Sequence, residues 1–514
     1  MPASVPALLA EAAAAAPDTL ALDVFEQGER RTYAELQRDV EALAAGLHSR
    51  GVDHGTHVGV MLPNVVAFPL TWLALARLGA VMVPINGAYT PRELHYVLTD
   101  ADVSHLVIDT EFEPAFSALE HRPAILASDN VIVHGGSRDT WHTCLAAGRH
   151  RALPPATVGH ADLLNIQYTS GTTGFPKGCM LTQLYWLTIG KVNAFRDGRA
   201  YKRILAATPF FYMDPQWQLM MAFYARATLY VARRQSATRF MGWVRDHRIE
   251  FTLLPEVVIK QAATPDDADN AIIRVNCYGL SRGNHAAIES RFDLVCREAF
   301  GMTEIGSTLF VPMEATETVG SGTCGVPVAY RETRIVDEAG KDVPSGEIGE
   351  MIVRGPGILT GYYKKPEATA AALRDGWFHT GDLFRRDAAG WHYIVGRKKD
   401  MIRRAGENIA AREVEAVVLT MADVEEAAAV PVPDTDRGEE VKILVKLKPG
   451  RTRDDCPPPD ILAHCAGGLA KFKVPRYVGY VTEFPHTASG KIAKHLLMGD
   501  PRLDCYDRVD DIWR

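Results

Sequence analysis

Tyr168-Thr169-Ser170-Gly171-Thr172-Thr173-Gly174-Phe175-Pro176-Lys177-Gly178 follows a short apolar run at 163–168 that reads as a buried strand. Hydroxyls, glycines and one lysine fall together in these few residues. Glycine lets backbone N–H groups approach an anion closely, and successive N–H groups form an anion-binding nest. Serine and threonine add donors, and Lys177 adds a charge. The GxxxxGK[ST] spacing of a Walker loop is absent. A short Gly/Thr cluster alone would read as a surface turn. A longer ordered stretch at the end of a strand reads as a phosphate cradle.

Outward from this loop, the chain alternates two patterns. The runs at 57–62, 80–85 and 103–109 read as buried strands, with helical-period segments at 65–77 and 91–99 between them. The alternation restarts after a proline-containing stretch at 151–162, with strand-like runs at 163–168, 203–207, 227–231, 251–254 and 272–278. Strands alternating with helices predict parallel α/β sheets. Beyond about residue 325 the texture changes. Runs at 331–336 and 350–353 flank an Asp/Gly/Pro-rich connection, which predicts antiparallel strands. After the basic Arg397-Lys398-Lys399-Asp400 a smaller unit follows: helix at 411–419, strands at 426–432 and 441–448, helix at 459–469.

The 514 residues allow for about three compact units at roughly 150 residues each. Hydrophobic residues make up 47% and charged residues 23%, which excludes disorder, collagen and coiled coil as descriptions of the whole chain. The net charge of −7 carries no electrostatic footprint for nucleic acid. Eight scattered cysteines without a CxxC pair predict neither a zinc site nor a disulfide framework, and hence a reduced, cytoplasmic setting. The most apolar stretch, 65–85, is broken by Pro69 and Arg77, so no membrane span is expected. Glu11 and the lack of a basic segment ahead of an apolar one do not read as a signal peptide.

The glycine-rich loop resembles the signature loop of the adenylate-forming superfamily: acyl-CoA synthetases, nonribosomal adenylation domains and beetle luciferases. Four further stretches carry the same likeness in the same order. Arg297-Glu298-Ala299-Phe300-Gly301-Met302-Thr303-Glu304 is similar to the family's aromatic-Gly-Met-Thr-Glu motif, and Gly376-Trp377-Phe378-His379-Thr380-Gly381-Asp382 to its Thr-Gly-Asp motif. Gly396-Arg397-Lys398-Lys399-Asp400, leading to Gly406-Glu407-Asn408-Ile409, resembles its hinge and following loop. Pro485-His486-Thr487-Ala488-Ser489-Gly490-Lys491-Ile492 resembles its C-terminal lysine motif.

The resemblance implies an α/β fold. A large N-terminal domain of stacked α/β sheets plus a β-subdomain would span 1–396. A hinge at 397–400 with Lys399 at its pivot would lead to a small mobile α+β domain at 401–514. It also implies a chemistry: a carboxylate attacks the α-phosphorus of ATP, so cations and donors must stand where negative charge builds up. Thr169, Ser170, Gly171, Thr172, Thr173, Gly174 and Lys177 would hold the β- and γ-phosphates. Glu304 would bind Mg²⁺ and Thr303 would contact the α-phosphate. Lys491 would bridge the carboxylate and α-phosphate. Phe300 would stack on adenine, with Gly301 and Met302 beside it. Asp382, an acceptor-only carboxylate, would take the ribose hydroxyls with support from Arg397. Gly406, Glu407 and Asn408 would line a tunnel for the thiol of coenzyme A. Lys471 and Lys473 would meet its phosphates, or form a solvated face.

Two segments depart from the family pattern. In Thr208-Pro209-Phe210-Phe211-Tyr212-Met213-Asp214, Tyr212 stands where acyl-CoA synthetases carry histidine; it is neutral and far less basic. This stretch most resembles small-acid ligases of the carnitine- or crotonobetaine-CoA type. Tyr278-Gly279-Leu280-Ser281-Arg282-Gly283 lacks the common Gly-Ala/Ser-Ala-Pro pattern. Tyr212, Asp214, Trp217, Tyr278, Gly279 and Arg282 would line the acyl pocket. The charges of Asp214 and Arg282 would meet the substrate, solvent or each other, and the pocket would favour a small to medium polar or aromatic acid. The whole predicts an ATP- and Mg²⁺-dependent ligase that passes a small carboxylic acid to coenzyme A. Rival readings are another acceptor (a carrier-protein thiol, an amine or a small inorganic nucleophile) or an inactive nucleotide-binding protein.

Overall fold

The computed structural model describes every residue except 156, 170–175, 279–281, 405–406, 487–490, 499–504 and 514; at 256, 282, 399, 407, 408 and 495 it describes the backbone alone. The chain forms two compact units. The first comprises Met1–Thr169, Lys177–Thr333 and Val353–Phe378; the second comprises Ser170–Pro176, Arg334–Ile352 and His379–Arg514.

The first unit is built on two sheets. A six-stranded sheet runs in the order Val131–His134, His105–Asp109, His57–Met61, Val81–Pro84, Leu163–Thr169, Lys177–Thr182. Its pairs are parallel up to Leu163–Thr169, and the last pair is an antiparallel hairpin. A nine-stranded sheet has Arg203–Ala206, Phe251–Leu253, Arg274–Cys277 and Cys296–Met302 as parallel neighbours at its centre. All eight strand-like runs expected between 57 and 278 are strands; 57–62 becomes His57–Met61 and 272–278 becomes Arg274–Cys277. Helix Ala67–Leu78 is buried from Ala67 to Ala76, and helix Met213–Ala225 is buried almost as completely. Helices apolar on every face belong inside a layered protein. Trp72 joins its helix to the six-stranded sheet by donating to Asn165 Oδ1 at 2.9 Å.

The second unit contains a small sheet in the order Glu332–Val336, Ile348–Arg354, Trp377–Arg386, with His392–Arg397 antiparallel to Trp377–Arg386. A seven-stranded sheet follows, centred on Gly438–Leu447. Helices Ala411–Val418 and Pro458–Gly468 cover it through Val414, Val418, Ile461 and Cys465, which pack on Ile443, Val445 and Val478. The strands expected at 426–432 and 441–448 are longer, Val424–Asp434 and Gly438–Leu447, because a hairpin extends their pairing to the turn.

The cysteine spacing suggests no disulfide framework, and one disulfide is present. Cys277 and Cys296 are bonded, on parallel neighbouring strands that bring their Cα atoms to 6.5 Å. A sequence separation of 19 concealed that proximity. The six other cysteines are free and buried. Among the described residues no helix is long and apolar enough to cross a membrane.

Candidate active site

The hairpin Leu163–Thr169/Lys177–Thr182 places the glycine-rich loop beyond the carboxyl end of a strand in a parallel sheet, where α/β proteins bind ligands. Thr169 and Lys177 are register partners at its base. Ser170, Gly171, Thr172, Thr173 and Gly174 lie outside the described residues. The segment 359–363 braces the second strand: Gly361 and Gly178 carbonyls accept from Met180 and Tyr363 N–H at 2.9 and 2.8 Å.

A second hairpin, Cys296–Met302/Gly306–Phe310, presents Phe300, Gly301, Met302, Thr303 and Glu304. Thr303, Glu304 and Ile305 form its turn, closed by Gly306 at φ +65°. A glycine at the left-handed position suits a three-residue hairpin loop. Gly301 is also required: a Cβ there would stand 2.6 Å from the Gly306 carbonyl oxygen. Phe300 and Thr303 are half-buried, and Glu304 is only 9% exposed. The Tyr362 hydroxyl donates to Glu304 Oε1 at 3.0 Å, and Lys177 Nζ sits 5.0 Å from the centroid of the same tyrosine ring. Among the described residues no three His, Cys, Asp or Glu side chains converge on a metal position. A single carboxylate such as that of Glu304 nevertheless fits Mg²⁺, which is held by one or two carboxylates together with substrate phosphates.

In the second unit, Asp382 and Arg397 are register partners on antiparallel strands. Asp382 is 1% exposed, with Arg397 Nε 2.6 Å from its Oδ1. The turn into Asp382 is tightly held. Thr380 Oγ1 donates to the Met351 carbonyl at 2.6 Å and accepts from Asp382 N–H at 3.0 Å. Gly381 N–H donates to Glu350 Oε1 at 3.1 Å. Burial works to raise the Glu350 carboxyl, but the Lys398 ammonium at 3.0 Å, the Gly381 N–H and His379 outweigh it and hold it below the usual range. Lys399 lies in the single 3-10 turn Lys398–Asp400; its side chain is outside the description.

Buried amides shape the segment that carries Tyr212, expected from the sequence to line the acyl pocket. Asn64 Nδ2 donates to the carbonyls of Thr208 and Ala232 at 3.0 and 2.8 Å, and its oxygen accepts from Phe210 N–H at 2.8 Å. Gln167 donates to the Phe211 carbonyl at 2.7 Å, and Gln216 to that of Phe210 at 2.8 Å. Tyr212 then begins helix Met213–Ala225, its phenol raised by burial. Asp214 Oδ1 accepts from Trp217 Nε1 at 3.0 Å; burial raises its carboxyl, and among the described residues no cation is paired with it. Tyr278 is 52% exposed, yet burial, followed by the charge of Asp214, pushes its phenol up to about 12. Both hold for a ring on the wall of a recess, reached by water and surrounded by protein. Gly279 and the Arg282 side chain lie outside the description.

Behind this wall is an ionic cluster that the sequence reading missed. Arg274 Nη1 is 2.8 Å and Arg196 Nε 3.6 Å from the Asp197 carboxylate, and both guanidiniums donate to Asn276 Oδ1. Burial, then the neighbouring Arg196 charge, pulls Arg274 down to about 9. Arg274 and Asn276 alternate with apolar residues in one short strand, and that alternation was the available signal.

In the C-terminal part, the loop carrying Lys491 is closed by a bridge between His486 and Ile492 and by Ala493 N–H donating to the Pro485 carbonyl at 2.7 Å. Lys491 is exposed. Gly406 lies outside the description, and Glu407 and Asn408 are placed by backbone alone in strand Glu407–Ala410. Lys473 is ion-paired with Glu413 at 2.7 Å. Lys471 is exposed and has no ion pair among the described residues.

A sequence profile of the AMP-binding enzymes matches residues 9–363, and one of the AMP-binding enzyme C-terminal domain matches 413–491. The chain is 31% identical to a crotonobetaine/carnitine–CoA ligase of Salmonella paratyphi A, over 90% of this chain and 92% of the relative. It is 34% identical to a feruloyl-CoA synthase of Amycolatopsis, over 91% and 93% of the two chains. The ATP-bound crystal structure of MatB from Rhodopseudomonas palustris superposes with a TM-score of 0.84 at 27% identity, covering 96% of this chain and 98% of that one.

Proposed function

Because the chain belongs to the AMP-binding enzyme family, we propose that it activates a small carboxylic acid with ATP and passes the acyl group to coenzyme A. It is an AMP-forming acid–thiol ligase of the acyl-CoA synthetase type. In the first half-reaction a carboxylate oxygen bonds to the α-phosphorus, the α–β phosphoanhydride bond breaks, and pyrophosphate leaves. In the second the thiol sulfur bonds to the acyl carbon, AMP leaves, and the thiol proton passes to solvent.

The observation that carries this reading is the corner made by Lys177, Tyr362 and Glu304 at the base of the glycine-rich hairpin. It sets a cation for phosphate beside a carboxylate for a divalent metal. Mg²⁺, when bound, neutralises charge on the phosphates. Glu304 would hold it, Lys177 and the 169–174 loop would hold the β- and γ-phosphates, and Thr303 would donate to the α-phosphate. Phe300, Gly301 and Met302 would face adenine, and Asp382 with Arg397 would take the ribose. Lys491 would offset the repulsion between carboxylate and α-phosphate. Domain rotation about Lys399, with 1–396 and 401–514 as the moving parts, would exchange Lys491 for the acceptor loop at 406–408. Lys471, exposed as it is, suits a coenzyme A phosphate better than Lys473, whose charge Glu413 already meets. A cytoplasmic setting, where ATP and coenzyme A are both at hand, would suit this reading.

For the acid, Tyr212, Asp214, Trp217 and Tyr278 favour a compact substrate with a polar, cationic or aromatic group. Aromatic walls suit planar groups and cations, and an Asp214 carboxylate with no cation paired to it among the described residues suits a donor on the substrate. The relatives named for carnitine and for ferulate carry these two kinds of acid in their names. The test is pyrophosphate release over a panel of acids, with mass spectrometry of the products. Palmitate winning by a wide margin in kcat/KM would defeat the compact pocket. Adenylate passing to an amine or inorganic acceptor, and not to coenzyme A, would favour the rival acceptor that Tyr212 in place of histidine suggests.

A further inference from the structure

Tyr362 touches both charged groups of the phosphate corner. Its hydroxyl donates to Glu304 Oε1 at 3.0 Å, and its ring lies under Lys177 Nζ at 5.0 Å. Both charges reach one buried thiol: burial raises Cys179 far above its ordinary value, Glu304 raises it further, and Lys177 opposes. An ammonium and a carboxylate that contact the same tyrosine, one on its ring and one on its hydroxyl, attract each other. Yet among the described residues Lys177 and Glu304 form no ion pair, and the tyrosine, itself 8% exposed, stands between them.

The tyrosine is held from every side. Its backbone bridges Cys179, and its N–H donates to Thr369 Oγ1 at 2.9 Å. The next three side chains are also anchored: Tyr363 Oη donates to Asp102 at 2.8 Å, Lys364 pairs with Asp102 at 2.7 Å, and Lys365 pairs with Asp100 at 2.9 Å. Tyr168, on the first strand of the glycine-rich hairpin, also donates to Asp100, at 2.7 Å. A strap therefore runs from that hairpin to the end of helix Pro91–Asp100, and Tyr362 projects from it into the corner.

We propose that Tyr362 is a positioning residue: its ring keeps Lys177 and Glu304 from neutralising each other, and its hydroxyl aims the glutamate at the divalent cation. This rests on the ATP-dependent reading above. If the pair closed, the lysine would be lost to phosphate and the carboxylate to the metal at once. A direct contact is prevented by the ring, and the glutamate turn is oriented by the hydroxyl, so the two roles separate by mutation.

Tyr362→Phe removes the hydroxyl and keeps the spacer, whereas Tyr362→Leu removes the ring. Mn²⁺ affinity is read by electron paramagnetic resonance on the full chain with α,β-methylene-ATP, a probe that releases no pyrophosphate. Metal-free binding of the same nucleotide is measured alongside. Tyr362→Phe is expected to weaken Mn²⁺ roughly 10- to 150-fold, as a lost hydrogen bond to a charged group does, with metal-free nucleotide affinity within about 2-fold of the parent. Tyr362→Leu is expected to weaken both. Parental Mn²⁺ affinity in Tyr362→Phe overturns the proposal. So does an equal loss of metal and metal-free nucleotide binding in that variant, which is what general damage gives. A parent that neither binds the metal–nucleotide nor releases pyrophosphate with any acid overturns the functional reading, and the proposal with it. An active parent with unchanged variants overturns the proposal alone.

Discussion

Replacing Arg397 by alanine would leave the Asp382 carboxylate, 1% exposed, without the guanidinium that now stands 2.6 Å away. Removing one partner of a fully buried ion pair costs about 3–5 kcal/mol. Arg397 is 38% exposed, so water already screens part of the attraction and will reach part of the gap, and about 2 kcal/mol is the reasonable figure. A chain of two compact units need not unfold in one step, so the assay must be local. Amide hydrogen exchange in strands Trp377–Arg386 and His392–Arg397 should accelerate about 30-fold, the equivalent of 2 kcal/mol. Asp382→Asn reverses the pattern. It removes the buried charge and leaves an arginine that can turn to water, so exchange should change by less than about 5-fold. It also removes the acceptor proposed for the ribose, so the preference for ATP over 2′- or 3′-deoxy-ATP should collapse by about 10-fold or more. The reasoning is refuted if Asp382→Asn loosens these strands more than Arg397→Ala, or if it discriminates against deoxy-ATP as well as the parent does.

Lys491→Ala should slow adenylate formation by roughly 10²–10³ while ATP still binds, measured as single-turnover pyrophosphate release against equilibrium nucleotide binding; a parental rate would remove Lys491 from the chemistry. Lys399→Pro fixes φ and deletes an N–H, so thioester formation from preformed adenylate should fall more than adenylation does, and equal losses would argue against a pivot there. Glu350 titrates lower in the folded protein than its unfolded value of about 4.3, so its stabilising contribution is complete above that pH and fades as pH falls through the folded value; the stability gap between the parent and Glu350→Gln should be widest at pH 7 and shrink as pH falls below the unfolded value. Thiol titration of the denatured, unreduced protein should find six thiols, and eight after reduction.

What the amino-acid order decided by itself was everything carried by neighbours in the chain. A glycine-rich loop after a strand, alternating strand and helix periods, and the motifs around Glu304, Asp382 and Lys491 are each legible within a dozen residues, because nests, turns and amphipathic faces are local. Only the tertiary structure could decide pairings that depend on strand register and neighbour order. Asp382 meets Arg397 because two antiparallel strands bring them opposite each other, and Cys277 meets Cys296 because their strands are parallel neighbours. Tyr362 stands 58 residues from the glutamate it binds, and nothing in Gly361-Tyr362-Tyr363 marks it in the sequence. Asn64, Gln167, Gln216 and Arg196 were illegible for the same reason. A polar residue in an apolar run reads as an exposed position until the fold supplies the partner that lets it be buried, and that partner lies on another layer of the protein.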